Sequence, residues 1–505
     1  MSYKMRVKIE FVECAESPGE EIENPIPGVY EQIVSQEIGE SIDGCEGQFM
    51  PLVYEAMRGS MAEHWSRSSK KVAEALQEEG ESLVEKAYRV DSEMGRIEFT
   101  AYYVEGSAGE KGMLPPLKGK DRYKSCGYKE IGLVHGAVEK SYKKSSQLLN
   151  RVRHQKGATP ARTLRDNSEA EGQSLQKAIS EQTQAIVAAH QFTEKGVPTK
   201  DIERYQEQSF QKLSKSTKKV KDAIAQSAPD EEWVKKMKQN KVPYENPEQS
   251  ASICVDDVNA KRQKETRTRQ DETPPLPKAK SETTKYVHNT VVHIAKGENS
   301  YIVNGHGLVS VLKMVLAFLL RNNLLCFNLI FFVDGQRTIY SSINKAFAWF
   351  KPFQFILDWY HLDKRCKEYL SMALKGRHIR NSILEELMPF LWHGCVDDAI
   401  AFLQDIDPAY VKNQEYLDKL IGYFRRNLPY IPCYSVRKLL NLRNSSNPGE
   451  KVNDLIVSHR QKRNGMSWSV TGSVALATLS ALVRNGEAEQ WFHQGTLNFR
   501  FSPAA

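Results

Sequence analysis

The stretch LLCFNLIFFVDGQRTIYSSINKAFAWFKPFQFILDWYH, residues 324–361, decides the fold. LLCFNLIFFVD (324–334) is dense in Phe, Leu and Ile and reads as a fully buried strand ending on Asp334. TIYSSINKAFAWF (338–350) has helical spacing, and FQFILD (353–358) is a second apolar run ending on an acid. Working outward, LVSVLKMVLAFLLRNN (308–323) reads as a helix stopped by an Asn pair. KYVHNTVVHIA (285–295) and SYIVN (300–304) are strands joined by the turn Lys296-Gly297-Glu298-Asn299, and ICVD (253–256) is a short strand ending in acids. The predicted order is β-β-β-α-β-α-β with acids at three strand ends. Acids at the carboxyl ends of neighbouring strands converge at one edge of an α/β sheet, where such folds place their sites.

The chain has 505 residues, enough for about three domains. With 40% hydrophobic residues it holds material for real cores, which excludes global disorder. The net charge of +7 decides little, but its distribution says more. Residues 1–113 carry 23 acids and 11 bases, whereas 115–165 carry 13 bases and 3 acids, a density that points to a polyanion partner. Eight cysteines lie no closer than 29 residues apart, so no CxxC knuckle or dense disulfide framework is encoded, and a reducing cytosol is expected. The opening MSYKMRVKIEFVE has no apolar core and does not read as a signal peptide. Lys313 and Arg321-Asn322-Asn323 break the most apolar stretch, 308–333, so no membrane span is expected. No GxGxxG follows a strand, and GxxxxGK[ST], GxSxG and HExxH are missing, which disfavours nucleotide-binding, serine-hydrolase and zincin chemistry.

Five regions are expected. Residues 1–113 form an acidic α+β region, with strands at 3–12 and 96–105 and helical spacing over 50–90 between them. Residues 114–245 form a basic helical region. Within it, 134–192 has the outline of a helix-turn-helix: a helix, the Gly157 break, a Thr159-Pro160 start, and a second helix bearing Arg162 and Arg165. A solvated basic face reads equally well from the same residues. Residues 195–240 suit a surface or linker helix, and 259–285, with Pro-Pro-Leu-Pro, an exposed loop. Then follow a core (250–360), a helical insertion (361–445) and a completing segment (446–495), with two helices around the turn Asn464-Gly465-Met466-Ser467-Trp468.

The strand order with one Asp on the first strand and one after the fourth resembles a ribonuclease-H-like catalytic core. Asp358-Trp359-Tyr360-His361 resembles the (C/D)xxH signature of Mutator-like and hAT-like transposases. RNSSNPGEKVNDLIVSHRQKRNGMSWSVTGS, toward the C-terminus, is similar to the last block of bacterial insertion-sequence transposases. The resemblance is to DDE-type insertion-sequence transposases, and it covers about 250–495 well and the N-terminal half only in outline. The fold implied is α/β: a ribonuclease-H-like mixed sheet with a helical insertion, preceded by an α+β region and a helical DNA-binding region.

The resemblance assigns the acids to Asp256 in CVDDV, Asp334 in FFVDGQR and Glu450 in NPGEK, at spacings of 78 and 116. Asp257 competes with Asp256, which is preferred because it directly ends the apolar run. Asn447-Pro448-Gly449-Glu450 also reads as a helix start with Glu450 in a capping box, in which case Asp454 is the fallback. The implied reaction is strand cleavage and transfer at element ends. It uses two Mg²⁺ or Mn²⁺ ions held by the three carboxylates. Asp358 and His361 are expected to orient the site or touch DNA, and Arg460, Lys462 and Arg463 to contact phosphates, as are Arg162 and Arg165. Trp468 and Trp491 are expected to pack. The implied partners are terminal inverted repeats and target DNA, bound by a homodimer or higher oligomer in the nucleoid-associated cytoplasm. A nuclease that cuts without joining, and an inactive derivative that only binds DNA, are the competing readings.

Overall fold

A computed structural model describes residues 3–7, 9, 12–13, 24–25, 34–38, 41–106, 109–112, 122–139, 141–200, 202–263, 285–463 and 465–503. The chain is mixed α/β and divides into two compact units. One comprises Met1–Ala170 with Ala488–Gly495, the other Glu171–Glu487 with Thr496–Ala505. The boundary falls inside a helix, Ala161–Ala189.

In the first unit the acidic region holds both helix and strand, and its helix is Ile42–Leu76, not 50–90. Residues Ser82–Ser92 are a strand instead, paired antiparallel with Gly95–Gly106 through a tight turn. The reason is a period of two: Tyr88 and Val90 are buried while Ala87 and Arg89, which alternate with them, are not, and Phe99 and Ala101 complete the same apolar face. The helices Tyr142–Val152 and Ala161–Ala189 stand where a helix-turn-helix was expected. Residues 153–160 join them, a longer connection than the roughly 3–4-residue turn of that motif. Side chains lock it: Asn150 pairs with the Thr159 backbone in both directions, and Arg153 donates to Thr159 Oγ1 at 2.8 Å. The helical hairpin is real, and the tight-turn geometry is not. Trp491 is buried, as expected.

The second unit is built on one mixed sheet. Its strands are β1 (Ser250–Lys261), β2 (Tyr286–Lys296), β3 (Asn299–Gly305), β4 (Asn328–Val333), β5 (Phe353–Leu357) and β6 (Ser502–Pro503), in the order β5-β4-β1-β2-β3-β6. β4 pairs parallel with both β1 and β5, and β2 runs antiparallel to β1 and β3. The helices α1 (Leu308–Arg321) and α2 (Arg337–Ala346) lie between β3 and β4 and between β4 and β5. All predicted strands and helices of this stretch are present. The exception is the extent of β1, which does not stop at Asp256. It runs on to Lys261 because residues 256–261 pair with the front half of β2, Tyr286–Val291. Residues 259–261 of the expected loop are therefore strand, and Arg262 bridges to Trp468. Residues 264–284, with the Pro-Pro-Leu-Pro segment, lie outside the described residues, as does Asn464.

The two sheet faces differ. Ile253, Val255, Val292, Ile294, Leu329, Phe331, Val333 and Phe355 pack under α1 and α2 in the main core, each fully buried side chain contributing about 1.5–3 kcal/mol. On the opposite face Cys254, Ile330, Phe332 and Ile356 form a smaller cluster with Val242. Further along this face Val258, Val291 and Ile302 form another apolar cluster with Val452, Ile456 and Val457, and the polar side chains of the site stand beside these clusters. The expected insertion is helical: α3 (Trp359–Ala373), α4 (Arg377–Trp392), α5 (Val396–Gln404), α6 (Gln414–Asn427) and α7 (Tyr434–Leu439). It has its own core around Leu362, Leu387, Leu420 and Phe424. The segment expected as a surface or linker helix, 195–240, holds three helices, Ile202–Glu207, Lys218–Ser227 and Glu231–Gln239. Val220, Ile224 and Met237 bury against Cys433 and Val436 of the α7 region, so this segment is core, not linker. After α8 (Asn447–Asn453) the chain makes a π turn over Asp454–Ser458, and α9 (Val470–Arg484) follows. Among the described residues no helix is long and apolar enough to cross a membrane.

Candidate active site

The parallel register sets the site. Cys254 pairs with Phe332, and Val333 with Leu357. Counting two residues on from Cys254 and Phe332, and one from Val333 and Leu357, Asp256, Asp334 and Asp358 stand in one row across β1, β4 and β5. Alternation puts them on the same face as Cys254, Phe332 and Ile356. Asp256 is thus inside its strand, not at its end, and still level with the two acids that do follow strand ends. Asp257 points to the other face, where Thr290 Oγ1 donates to its Oδ1 at 2.5 Å. Of the two adjacent acids, Asp256 is the one on the face of Asp334 and Asp358.

Asp334 is set by the residue after it. Gly335 has φ +89°, a conformation side chains rarely adopt, and a Cβ there would meet the Tyr423 hydroxyl at 2.7 Å. Asp334 Oδ1 accepts from the Gln336 backbone N–H at 2.9 Å, and the Tyr423 hydroxyl donates to the Asp334 carbonyl at 3.5 Å, so α6 of the insertion closes over this turn.

Asp358 is fully buried and is the N-cap of α3. Its carboxylate accepts from Tyr360 N at 2.6 Å, from Ser446 N at 2.7 Å and from the Ser446 hydroxyl. Trp359 N donates to Asn444 O, Asn444 donates to Tyr434 O, and the Tyr434 hydroxyl donates to Leu357 O. The polar run Asn444-Ser445-Ser446 is thereby stitched to the end of β5, and it delivers α8 to the site. Ser446 is the N-cap of α8 with its hydroxyl turned to Asp358, and no side-chain capping bond forms. The capping-box reading of Glu450 therefore fails. The Glu450 carboxylate instead lies 3.6 Å from His361 Nε2, while His361 Nδ1 lies 3.5 Å from Asp358 Oδ2.

The electrostatics follow from this crowding. Burial pushes the Asp256 carboxyl up to about 7, and the negative charges of Glu450 and Asp334 add to it. Burial alone would lower the His361 imidazole, but the close approach of Asp358 and the charges of Asp358, Glu450 and Asp334 raise it above its ordinary value. Burial alone would raise the Asp358 carboxyl, but His361 and the two Ser446 donors hold it below the carboxylate range. Three acids assigned from sequence, with Asp358 and His361, thus feel one another across a single pocket of charge.

A residue not singled out from sequence completes the group. Asn453, buried on α8, donates from Nδ2 to Asp256 Oδ2 at 2.6 Å. The signal was present: Asn453 is three residues after Glu450, hence on the same helical face. Gly449 is the other, since a Cβ there would stand 2.8 Å from Cys254 Cβ. Asp454, the fallback acid, is half-exposed and pairs with Arg463 at 3.5 Å, away from the group.

The basic residues separate. Arg460 is buried with its guanidinium 5.1 Å over the Trp468 ring, so it packs and does not present a phosphate contact, because stacking and burial are where a guanidinium is held most firmly here. Trp468 packs, as expected. Lys462 and Arg463 are exposed, and in the first unit Arg162 and Arg165 are exposed with Asp166 beside them.

A crowd of carboxylates that raises one of its own members, balanced by one imidazole, fits a hard divalent cation. The side chains as they stand do not close on a point: among the described residues no three His, Cys, Asp or Glu groups are gathered tightly enough to hold an ion. Glu450, about a third exposed, is the arm with room to swing. No family model, curated protein or solved structure matches the chain.

Proposed function

We propose that the second unit is a metal-dependent phosphoryl-transfer enzyme acting on DNA. More particularly, it is read as a DDE transposase that cuts and joins DNA at the ends of an insertion sequence. The observation that carries this is the row of Asp256 and Asp334 across two parallel strands, with Glu450 brought against them by α8 and His361. The sheet order, in which β2 alone among the five longer strands runs against the rest, supports the ribonuclease-H-like reading.

Asp256, Asp334 and Glu450 would hold Mg²⁺ or Mn²⁺. Two such ions supply a deprotonated water or 3′-hydroxyl and stabilise the departing oxygen. Asp358 fixes His361, and His361 holds Glu450 over the row. Lys462, Arg463, Arg162 and Arg165 would lie along DNA phosphates, positioning the duplex without reading its sequence. Element ends and target DNA would be engaged by two or more copies of the chain.

The test is a labelled duplex carrying the ends of the element, incubated with the full chain and Mg²⁺ or Mn²⁺. Cleavage followed by joining supports the transposase. Cleavage without joining moves the reading to a nuclease, and binding with neither leaves a DNA-binding derivative.

A further inference from the structure

Asp256 is held at both oxygens. Oδ1 accepts from the Asp257 backbone N–H at 2.8 Å, and Oδ2 accepts from Asn453 Nδ2 at 2.6 Å. A carboxylate has about four lone-pair sites, so these two bonds fix its plane and leave the others for a ligand. The first bond comes with the strand. The second depends on one side chain, 197 residues away in sequence, in a setting that does not otherwise favour an amide. Its neighbours Val452, Ile456 and Val457 belong to an apolar cluster with Val258 and Val291. Asn453 is 4% exposed, and its Oδ1 has no hydrogen-bond partner among the described residues. A buried unpartnered carbonyl is a cost that packing does not repay. The π turn Asp454–Ser458 starts at the next residue, an irregularity common at functional sites.

We propose that Asn453 is a positioning residue for the site: its amide holds the Asp256 carboxylate in the orientation that receives a divalent cation shared with Asp334 and Glu450. The inference rests on the metal-dependent reading above. Partners that orient metal-binding carboxylates commonly change metal affinity by about 10–100-fold when removed.

The experiment measures Mn²⁺ binding to the full chain by the electron paramagnetic resonance signal of the free ion, counting only binding that Asp334→Asn abolishes. Asn453→Ala and Asn453→Ser are compared with the unmodified protein, alongside thermal unfolding in chelator. The expected result is a dissociation constant weakened about tenfold or more in Asn453→Ala, and less in Asn453→Ser, whose hydroxyl can still donate. The Mn²⁺ concentration for half-maximal cleavage should rise in parallel. Unchanged Mn²⁺ affinity in both folded variants, with only a lowered unfolding temperature, overturns the inference and leaves the metal-dependent reading standing. Absence of Asp334-dependent binding in the unmodified protein overturns that reading and this inference with it. Should Asn453→Ala not fold, Asn453→Ser alone decides by the same criterion.

Discussion

The backbone of Gly449 lies so close to Cys254 that a Cβ on the glycine would stand 2.8 Å from the cysteine's own Cβ. Helix α8 thus rests directly on β1, and that contact brings Glu450 and Asn453 down to Asp256. Gly449→Ala should lift the helix, lowering stability by about 1–3 kcal/mol and cleavage by a larger factor than that loss of folding explains. Cys254→Ala should not relieve the clash, because the contact is with Cβ. Chemical unfolding and cleavage rates on the single and double variants check both statements.

Asp334→Asn keeps size and shape while removing charge, and should nearly abolish cleavage with the fold intact. Asp257→Asn should be much milder, since Asp257 faces the opposite side of the sheet and answers to Thr290. Cleavage by Asp334→Asn at a rate near the unmodified protein's would remove Asp334 from the proposed site.

Asp256 gives a pH dependence with a definite sign. Its carboxyl is pushed up to about 7 in the folded chain, above the unfolded value near 3.8. The folded state therefore binds the proton more tightly, and stability drains away as pH rises from about 4 through 7. Asp256→Asn is free of this loss. In chelator it should be about as stable as the unmodified protein at pH 4 and on the order of 1–3 kcal/mol more stable at pH 8. Asn453 can accommodate the change by turning its amide, offering its unpartnered Oδ1 to the new Asn. If the site holds Mg²⁺ as proposed, the ion should narrow the gap at pH 8, because it would stabilise only the unmodified site. Urea titrations at both pH values, with and without Mg²⁺, measure this.

Asp358 runs the other way. Its carboxyl is held low, so its contribution to stability is full above the unfolded value and is lost as pH falls through the folded one. Asp358→Asn should cost about 2–4 kcal/mol at pH 7, leaving the Ser446 donors and His361 poorly matched, with the difference closing in strong acid. The His361 imidazole should also titrate lower in this variant, read from its ring-proton resonances, since Asp358 is among the groups that raise it.

Arg162 and Arg165 are exposed at the start of a long helix. If they meet DNA phosphates, replacing both with Ala should lower the slope of log affinity against log salt by about 1–2, uniformly across sequences. The full chain is the proper subject, because Arg153 and Thr159 of the same hairpin are buried in the first unit. An unchanged slope would assign these arginines to a solvated surface.

The alternation and apolar runs between 285 and 358 determined β2 through β5 and the helices between them, because burial on two faces leaves a pattern that composition alone can carry. The same run placed Asp334 and Asp358 at strand ends. Other features were illegible locally. β1 runs past Asp256 because of its pairing with β2, and nothing within CVDDV marks that. The helices at 218–239 read as linker because their apolar side chains are few, and only their contact with the α7 region makes them core. The sequence favours Asp256 over Asp257 as the end of an apolar run, but Asp256 lies inside its strand, and what sets it beside Asp334 is the face of the sheet that α8 covers. Buried Arg460, the Ser446 bond that displaces a capping box, and the hold of Asn453 on Asp256 are all meetings of residues far apart in the chain. Sequence determines which groups can carry charge and how a strand or helix presents them. Register and packing decide which of those groups share one desolvated space, and it is that sharing, not the residue types, that raises Asp256 and ties Glu450 to His361.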